Sequence, residues 1–190
     1  MGEALMQPGD DPDAWQAELE SYWPAFAGEY DSAMRAKLGL LNLPTDSSDF
    51  TADDERRLIT ELLELLQAER ADYTRFFRQL CEYRVTPEGA TVQRGSANVQ
   101  AWFAWYAARL RAEASDDAER AERMRRVNPK YVLRNWIAQE AIEQAEAGQF
   151  GLIEEIRRLL ADPYAEDPAM ARFARQPSGA AREIAVSCSS

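Results

Sequence analysis

The sequence contains no histidine among its 190 residues. Histidine titrates near neutral pH and is the commonest metal ligand, so its absence removes the usual general base and the usual metal site together. Cysteine is almost as scarce, since only Cys81 and Cys188 occur and they lie far apart. Two isolated thiols provide no disulfide framework, which predicts a reducing compartment, the cytoplasm.

The sequence also lacks long apolar runs and a net positive charge. No apolar stretch approaches the roughly 18–20 residues that cross a bilayer, and Met1 to Asp13 is acidic and lacks the apolar segment of a secretion signal. Acidic residues outnumber basic ones by 33 to 22, for a formal charge of −11. Because nucleic acids and anionic membranes attract positive surfaces, we expect neither as a partner.

Motifs for catalysis and metal binding are lacking too. The sequence has no glycine-rich phosphate loop, no nucleophile elbow and no zinc motif. Its acidic groups lack the spacing and the central glycine of a calcium-binding loop. We interpret them as helix caps and solubilising charges; they are Asp10/Asp11/Asp13, Asp46/Asp49 and Asp53/Asp54/Glu55. The chain is therefore expected to carry no catalytic residue, metal or cofactor of its own.

What the sequence does contain is material for a helical core. Apolar residues make up 46% of the chain and include five tryptophans, seven tyrosines and seven phenylalanines. They recur at steps of three and four, as one face of a helix requires, and we interpret the aromatic stripes as core. The predicted fold is all-α, with about eight helices and a flexible C-terminal tail. The predicted organisation is a disordered lead (1–12), a helical region (13–177) and a tail (178–190).

Several helix boundaries can be predicted from local signals. A helix should begin at Asp13, be kinked or divided at Pro24, and end near Gly39. Thr51 and Asp54 form a capping-box pattern for the next one. Further helices are expected at 72–80, 98–113, 116–126, 151–160 and from 168, with a loop at 84–96 that includes a short extended piece near 90–93.

One later helix is predicted from a specific pair of residues. Asn128 suits an N-cap and Pro129 the first helical position, so a helix should run from there to about Ala147 and stop at Gly148. Since only two or three residues separate it from the helix that begins at Gly151, the two should pack as an antiparallel hairpin.

The two cysteines have different interpretations. Cys188, third from the C-terminal end, is either an inert thiol on a tail or a thiol that pairs with a cysteine elsewhere. Reactivity requires nearby positive charge, and Arg182 is the only local cation. Cys81 follows an aromatic helix and is interpreted as a small buried apolar residue.

A basic cluster stands out within the acidic chain. It is either a solvated helix face paired with Glu119 and Glu122, or a patch that docks another domain or contacts a phosphate. Asn135 lies among apolar residues, so with Arg134 it is expected to join its helix to a neighbouring loop or chain. The cluster comprises Arg120, Arg123, Arg125, Arg126, Lys130 and Arg134. As possible docking residues we retain Arg126, Lys130, Arg134 and Asn135.

Four segments, in order along almost the whole chain, resemble the C-terminal part of the selenoprotein O (SelO) family. They are Met34-Arg35-Ala36-Lys37-Leu38-Gly39-Leu40, Asp72-Tyr73-Thr74-Arg75-Phe76-Phe77-Arg78-Gln79-Leu80, Asn128 to Trp136, and the terminal Val186-Ser187-Cys188-Ser189-Ser190. The resemblance implies a protein-kinase-like fold in the full-length protein. It also implies a protein adenylyltransferase that uses ATP and Mg²⁺ or Mn²⁺ to place AMP on Ser, Thr or Tyr hydroxyls of protein substrates.

The resemblance also implies a role for the tail. Cys188 matches the position at which some members carry selenocysteine, and it would be a redox-regulatory residue that bonds to a cysteine of the catalytic domain. Nothing in 1–190 matches the family's nucleotide- and metal-binding residues. We therefore expect a C-terminal fragment of a bacterial-type member that supports a missing N-terminal kinase-like catalytic region and is inactive alone. The alternative is a stand-alone helical interaction or scaffold module, which should have a polar surface, whereas a truncated lobe should have a large bare apolar patch.

Overall fold

The computed structural model describes residues 12–43, 50–86, 89–90 and 95–176. Within these residues the secondary structure is helical apart from one very short hairpin, so the predicted all-α class is confirmed. The predicted tail and Cys188, and almost all of the predicted lead, lie outside the described residues.

Seven α-helices and one 3-10 helix make up the described part of the chain. They are α1 (Pro12–Leu38), α2 (Ala52–Ala68), α3 (Tyr73–Leu80), α4 (Ala97–Ala112), α5 (Asp117–Val127), α6 (Asn135–Glu146), α7 (Gly151–Ala161) and the 3-10 helix Pro168–Ala174. The short hairpin pairs β1 (Val85–Thr86) with β2 (Gly89–Ala90), with Val85 opposite Ala90. The extended piece predicted near 90–93 therefore begins earlier and lies partly outside the described residues.

The predicted helix caps at Thr51 and Gly39 are confirmed. The Thr51 hydroxyl accepts from the Asp54 amide at 3.1 Å, and the Asp54 carboxylate accepts from the Thr51 amide at 2.8 Å. Gly39 has φ +69°, and the Leu40 amide donates to the Arg35 carbonyl at 3.0 Å, which closes α1 in the manner of a Schellman motif. These caps form within a few residues of sequence, which is why the sequence alone predicts them.

Pro24 does not divide the first helix. The structure has one helix of 27 residues with Pro24 inside it, so the helix is not divided there, and a kink at Pro24 stays a prediction. Proline removes one backbone hydrogen bond and leaves a carbonyl one turn earlier without its donor. Residues 15–30 are exposed, and water can bond to that carbonyl.

The predicted helix start at Pro129 is wrong, since α6 begins at Asn135. The amides of Lys130 and Tyr131 both donate to the Pro163 carbonyl, at 2.8 and 3.1 Å. These two donors hold the chain against a distant turn instead of opening a helix. A contact more than 30 residues away in sequence therefore overrides the local N-cap signal.

Asn128 closes α5 instead of opening α6. Its amide donates to the Met124 carbonyl at 2.9 Å. Its fully buried side chain donates to the Lys37 carbonyl at 2.8 Å and accepts from the Lys37 ammonium at 3.3 Å. The predicted N-cap residue therefore ties the end of α5 to the end of α1.

The buried apolar residues form two separate clusters. The first lies between the C-terminal end of α1 and helices α2–α5, and includes Leu38, Leu62, Phe77, Tyr106 and Met124. The second lies between α6, α7 and the 3-10 helix, and is built from Tyr131, Ile137, Ala141, Leu152, Ile156, Leu159 and Phe173. α6 and α7 pack on each other around this second core, as the short connection between them predicts.

A buried ionic network holds the first core in register. The Arg109 side chain has no exposed surface, and its guanidinium donates to Glu55 on α2 and to Glu113 at the end of α4. It also donates to the Leu41 carbonyl at 2.8 Å, while the Leu41 amide donates to Glu113 at 2.9 Å. One guanidinium thus connects α2, α4 and the segment that follows α1.

Replacing Arg109 with alanine should destabilise the protein by about 3–5 kcal/mol, because the buried Glu113 would lose its ion pair and Glu55 would keep only Arg35, 3.2 Å away. The measurement is urea unfolding followed by circular dichroism. Arg157→Ala is the matched control, since the pair that Arg157 forms with Glu154 is exposed and should contribute little to stability. Equal losses in the two variants would contradict this account of the network.

Gly39→Ala should destabilise the protein more than Gly148→Ala. Both glycines have a left-handed backbone, which costs other residues about 1–2 kcal/mol. A Cβ at Gly39 would lie 2.6 Å from Arg120 Cγ and 2.7 Å from Met124 Cγ, whereas at Gly148 it would meet nothing within 4 Å. The melting temperatures of the two variants measure the difference, and a larger loss at Gly148 would contradict the tight packing at Gly39.

Candidate docking surface

The segment 128–134, which belongs to the most specific of the family-like motifs, is held in place by Arg78 from α3. The Arg78 guanidinium donates to the carbonyls of Arg125 and Asn128 at 3.0 and 2.8 Å. It also donates to the Tyr164 carbonyl at 3.1 Å and pairs with Glu166. A single side chain therefore joins α3, the end of α5 and the turn before the 3-10 helix.

Lys130, one of the predicted docking residues, forms an ion pair within the chain. Its ammonium lies 2.6 Å from a Glu166 carboxylate oxygen, and the hydrogen bond that it donates to Glu166 raises the pKa of Lys130. Burial would raise the pKa of Glu166, but hydrogen bonds from Lys130 and Arg78 lower it below its ordinary value. Both groups are therefore charged at neutral pH and hold the 128–134 segment against the 3-10 region.

Arg134 forms a bidentate ion pair with Asp72, the N-cap residue of α3. The two contacts measure 2.7 and 3.1 Å, and the same carboxylate accepts from the Arg75 amide at 3.1 Å. Burial would raise the pKa of Asp72, but the hydrogen bonds from Arg134 and from the Arg75 amide lower it below 3.8. The sequence-based expectation that Arg134 joins its helix to a neighbouring loop agrees with this contact.

Arg126 and Asn135 occupy exposed positions. The Arg126 side chain is 71% exposed and contacts Glu122 one turn earlier on α5. Asn135 is exposed in the first turn of α6, so it does not lie within an apolar helix interior as the sequence suggests. Docking through Arg126, Lys130, Arg134 and Asn135 stays a prediction, and Arg126, Lys130 and Arg134 each form an ion pair inside the chain.

The remaining basic residues of the cluster also bond within the chain. Arg120 is fully buried, pairs with Asp117 and donates to the Tyr83 carbonyl. Arg125 pairs with Glu82, and Arg123 donates to the Gly39 carbonyl at 3.4 Å. The interpretation as a solvated face therefore fits Arg126 and does not fit Arg120.

Of the two cysteines, only Cys81 lies among the residues that the structure describes. Cys81 is fully buried, as predicted, and its thiol donates to the Phe77 carbonyl at 3.3 Å. Burial raises the pKa of the Cys81 thiol. This cysteine is therefore a poorly ionised, inaccessible group of the first core.

A cavity of about 240 Å³ lies between α2, α3 and α4. Its walls are mainly apolar and include Leu65, Phe76, Leu80, Val99 and Phe103. Among the described residues, its lining contains no lysine or arginine to neutralise phosphates. The cavity suits an apolar group better than a nucleotide.

A continuous aromatic surface is the feature that sequence reasoning misassigned. The predicted core stripe of α1 is buried only at its C-terminal end, where Met34 is 4% exposed, whereas Trp23 is 68% exposed. We call the exposed residues the α1 aromatic stripe; they are Trp15, Leu19, Tyr22, Trp23, Phe26 and Tyr30. Their periodicity correctly indicates an apolar helix face, but periodicity does not indicate what covers that face.

The described residues contain neither a membrane-spanning helix nor a cluster of metal ligands. In the ranges 12–43, 50–86, 89–90 and 95–176, no helix combines the length and the apolar character needed to cross a membrane. Over the same residues, no three side chains of His, Cys, Asp or Glu are grouped in a way that could hold a metal ion.

Comparison with known proteins decides the family. The model of the family described as "Protein adenylyltransferase SelO" matches residues 4–160. The chain belongs to the SelO family. Three of the four SelO-like segments lie within this match, and the fourth, Val186–Ser190, lies outside it.

Several bacterial relatives are similar to this SelO-family chain, and each carries the name "Protein nucleotidyltransferase YdiU". The Myxococcus xanthus protein is 43% identical over 196 aligned positions, covering 100% of this chain and 38% of the relative. The Azotobacter vinelandii protein is 37% identical, with 100% and 38% covered. The Chromohalobacter salexigens protein is 40% identical, with 100% and 37% covered. The chain thus spans less than two fifths of the length of the SelO-family relatives it matches.

The ion pair between Arg134 and Asp72 should make stability depend on pH in the acid range. Because folding lowers the pKa of Asp72, the pair stabilises the folded state above about pH 4 and is lost as pH falls through the lowered pKa. Arg134→Met should therefore cost about 1.5–3 kcal/mol near pH 7, and the cost should fall as the pH is lowered below 4 and Asp72 takes up its proton. Urea unfolding across that range measures the difference.

Asp72→Asn is the matched control for this ion pair. Asparagine caps helices about as well as aspartate, so the variant keeps the cap of α3 and loses only the charge. Its unfolding free energy should show a weaker dependence on pH than that of the wild type. A penalty for Arg134→Met that stays constant from pH 7 to pH 3 would contradict an ionic role for the pair.

Proposed function

We propose that this chain forms the C-terminal part of a SelO-type protein adenylyltransferase. In that reaction the target hydroxyl of a Ser, Thr or Tyr bonds to the α-phosphorus of ATP, the bond to the β-phosphate breaks, and pyrophosphate leaves while the hydroxyl proton passes to a base. The family match over residues 4–160, together with the 38% share of the relatives' length, is the observation that carries the proposal.

The proposed role of this chain is to support the catalytic region rather than to perform the transfer. Adenylyl transfer requires cations and hydrogen-bond donors positioned at the phosphates, including the Mg²⁺ or Mn²⁺ of the family. In the part of the chain that the structure describes, most of the arginines of the basic cluster are bonded to carboxylates or carbonyls of the chain itself. The phosphate-binding and metal-binding groups are therefore assigned to a kinase-like region outside this chain.

We further propose that Cys188 is a redox-regulatory residue. The proposal is supported by the similarity of the terminal Val186–Ser190 segment to the end of SelO proteins. Cys81 is an unsuitable partner because its thiol is fully buried, donates to the Phe77 carbonyl and would become accessible only if the first core opened. The partner cysteine of Cys188 is therefore assigned to the catalytic region. The proposed location of the protein is the cytoplasm, because two isolated cysteines provide no disulfide framework.

The stand-alone interaction module is the weaker candidate. A finished module should cover its apolar side chains, since large exposed apolar patches are uncommon on monomeric proteins. The six exposed residues of the α1 aromatic stripe favour a chain that normally contacts further polypeptide.

A chimeric enzyme tests the proposed function. The matched part of the Myxococcus xanthus relative is replaced by this chain, and AMP transfer to protein is measured with labelled ATP and Mg²⁺. We expect transfer within about tenfold of the parent protein, because two chains that are 43% identical over the whole exchanged part share a fold. The purified 190-residue chain should show no transfer.

Two results would overturn the proposal. One is a chimera that is monodisperse and melts like its parent but transfers no AMP while the parent does. The other is AMP transfer by the isolated chain, which would place the catalytic groups inside it. The parent protein lacking the exchanged part provides the background rate.

A further inference from the structure

The change in burial along α1 divides this helix into two parts with different surroundings. Its last turns, with Met34 and Leu38, lie in the first core. Its N-terminal part, from Trp15 to Tyr30, contributes only exposed large apolar residues. An isolated helical extension of this kind is marginally stable in water and is normally stabilised by packing of its apolar face.

The rings of the stripe are already arranged as one surface. Tyr22 stacks on Phe26 with centroids 5.8 Å apart, and Phe26 stacks on Tyr30 at 6.1 Å. Trp23 meets Phe26 edge to face at 6.1 Å. Tryptophan and tyrosine contribute disproportionately to protein–protein affinity, and rings that already pack on one another lose little freedom on binding.

The charge around the stripe indicates the chemistry of its partner. Residues 12–34 contain five acidic residues and no lysine or arginine. Only Asp31 among the acidic residues of this part is seen in an ion pair, with Arg56 at 2.9 Å, in the part of the chain that the structure describes. An apolar groove with basic residues at its rim would match this surface in both respects.

A second copy of the chain is a poor partner for the α1 aromatic stripe. In a two-fold contact each stripe would face its own counterpart, which would bring the acidic residues of two helices together. Like charges at such a contact cost free energy and disfavour the dimer. About three fifths of the length of the relatives lies outside the part matched by this chain. That polypeptide is large enough to provide a partner surface.

We propose that the α1 aromatic stripe is the surface through which this chain docks onto the catalytic region of the full-length enzyme, in an apolar groove with a basic rim. This inference rests on the proposed function and names the contact by which that function is supported. It places the main contact on α1 and not on the basic cluster, where most side chains already bond within the chain.

Hydroxyl-radical footprinting tests the docking directly. Side-chain oxidation at Trp23 and Phe26 is compared between the isolated 190-residue chain and the full-length chimera. We expect oxidation to fall at least fivefold in the chimera, because the groove would exclude water from both rings. Unchanged oxidation at both positions would overturn the proposal.

A double variant tests whether the stripe contributes to stability only in the larger protein. Trp23→Asp/Phe26→Asp should leave the melting temperature of the isolated chain nearly unchanged, since both side chains are exposed there. In the chimera it should lower the melting temperature by several degrees. The matched control is Phe150→Asp, which alters an aromatic ring that is 64% exposed and lies outside the stripe. Equal melting temperatures of the chimera with and without the double change would contradict docking through α1.

The oligomeric state of the isolated chain completes the test. Sedimentation should show a monomer. Any association should be weak, and weakest at low salt, where repulsion between the acidic residues is not screened. A stable dimer that the double variant abolishes would overturn the proposal in favour of a second copy. The inference is separable from the proposed function: AMP transfer reports on the function, whereas footprinting without ATP reports on docking.

Discussion

The buried guanidinium of Arg109 is the constraint on which the first core depends. A charge that is fully removed from water is tolerated only when it is paired and hydrogen-bonded, and here Glu55, Glu113 and the Leu41 carbonyl satisfy it. Because these partners come from α2, α4 and the segment after α1, the relative positions of three elements are fixed together. The direction in which α1 leaves the core follows from this arrangement, and with it the position of the aromatic stripe.

Local contacts explain what could be predicted from sequence. The capping box of α2, the cap of α3 and the glycine that closes α1 each involve groups within a few residues, so the residue types alone indicate them. The start of α6 could not be predicted in this way. Asn128 and Pro129 satisfy the rules for a helix start, but the Pro163 carbonyl captures two amides that a helix would need, and that contact depends on the tertiary fold.

The surface was harder to predict than the helices for a related reason. A periodic stripe of large apolar residues has the same sequence pattern whether it faces a core, a partner or water. The basic cluster presents the opposite case, since its sequence shows positive charge but not the carboxylates that neutralise it from Asp72, Glu82 and Glu166. The SelO-like segment 128–136 is explained largely by contacts within the chain. Asn128 and Tyr131 are buried, and Arg134 forms an ion pair with Asp72.

The separation of the apolar residues into two clusters has a consequence for how the molecule comes apart. Each cluster is held mainly by burial of apolar surface, which ordinary salt does not weaken, whereas Arg78 and Arg134 connect the two parts of the chain through ion pairs with Glu166 and Asp72. Of these two pairs, the one that includes Glu166, which is 57% exposed, is the more sensitive to ionic strength, because salt screens buried charges less. Whether the two parts unfold together or one after the other therefore depends on the solvent as well as on the sequence.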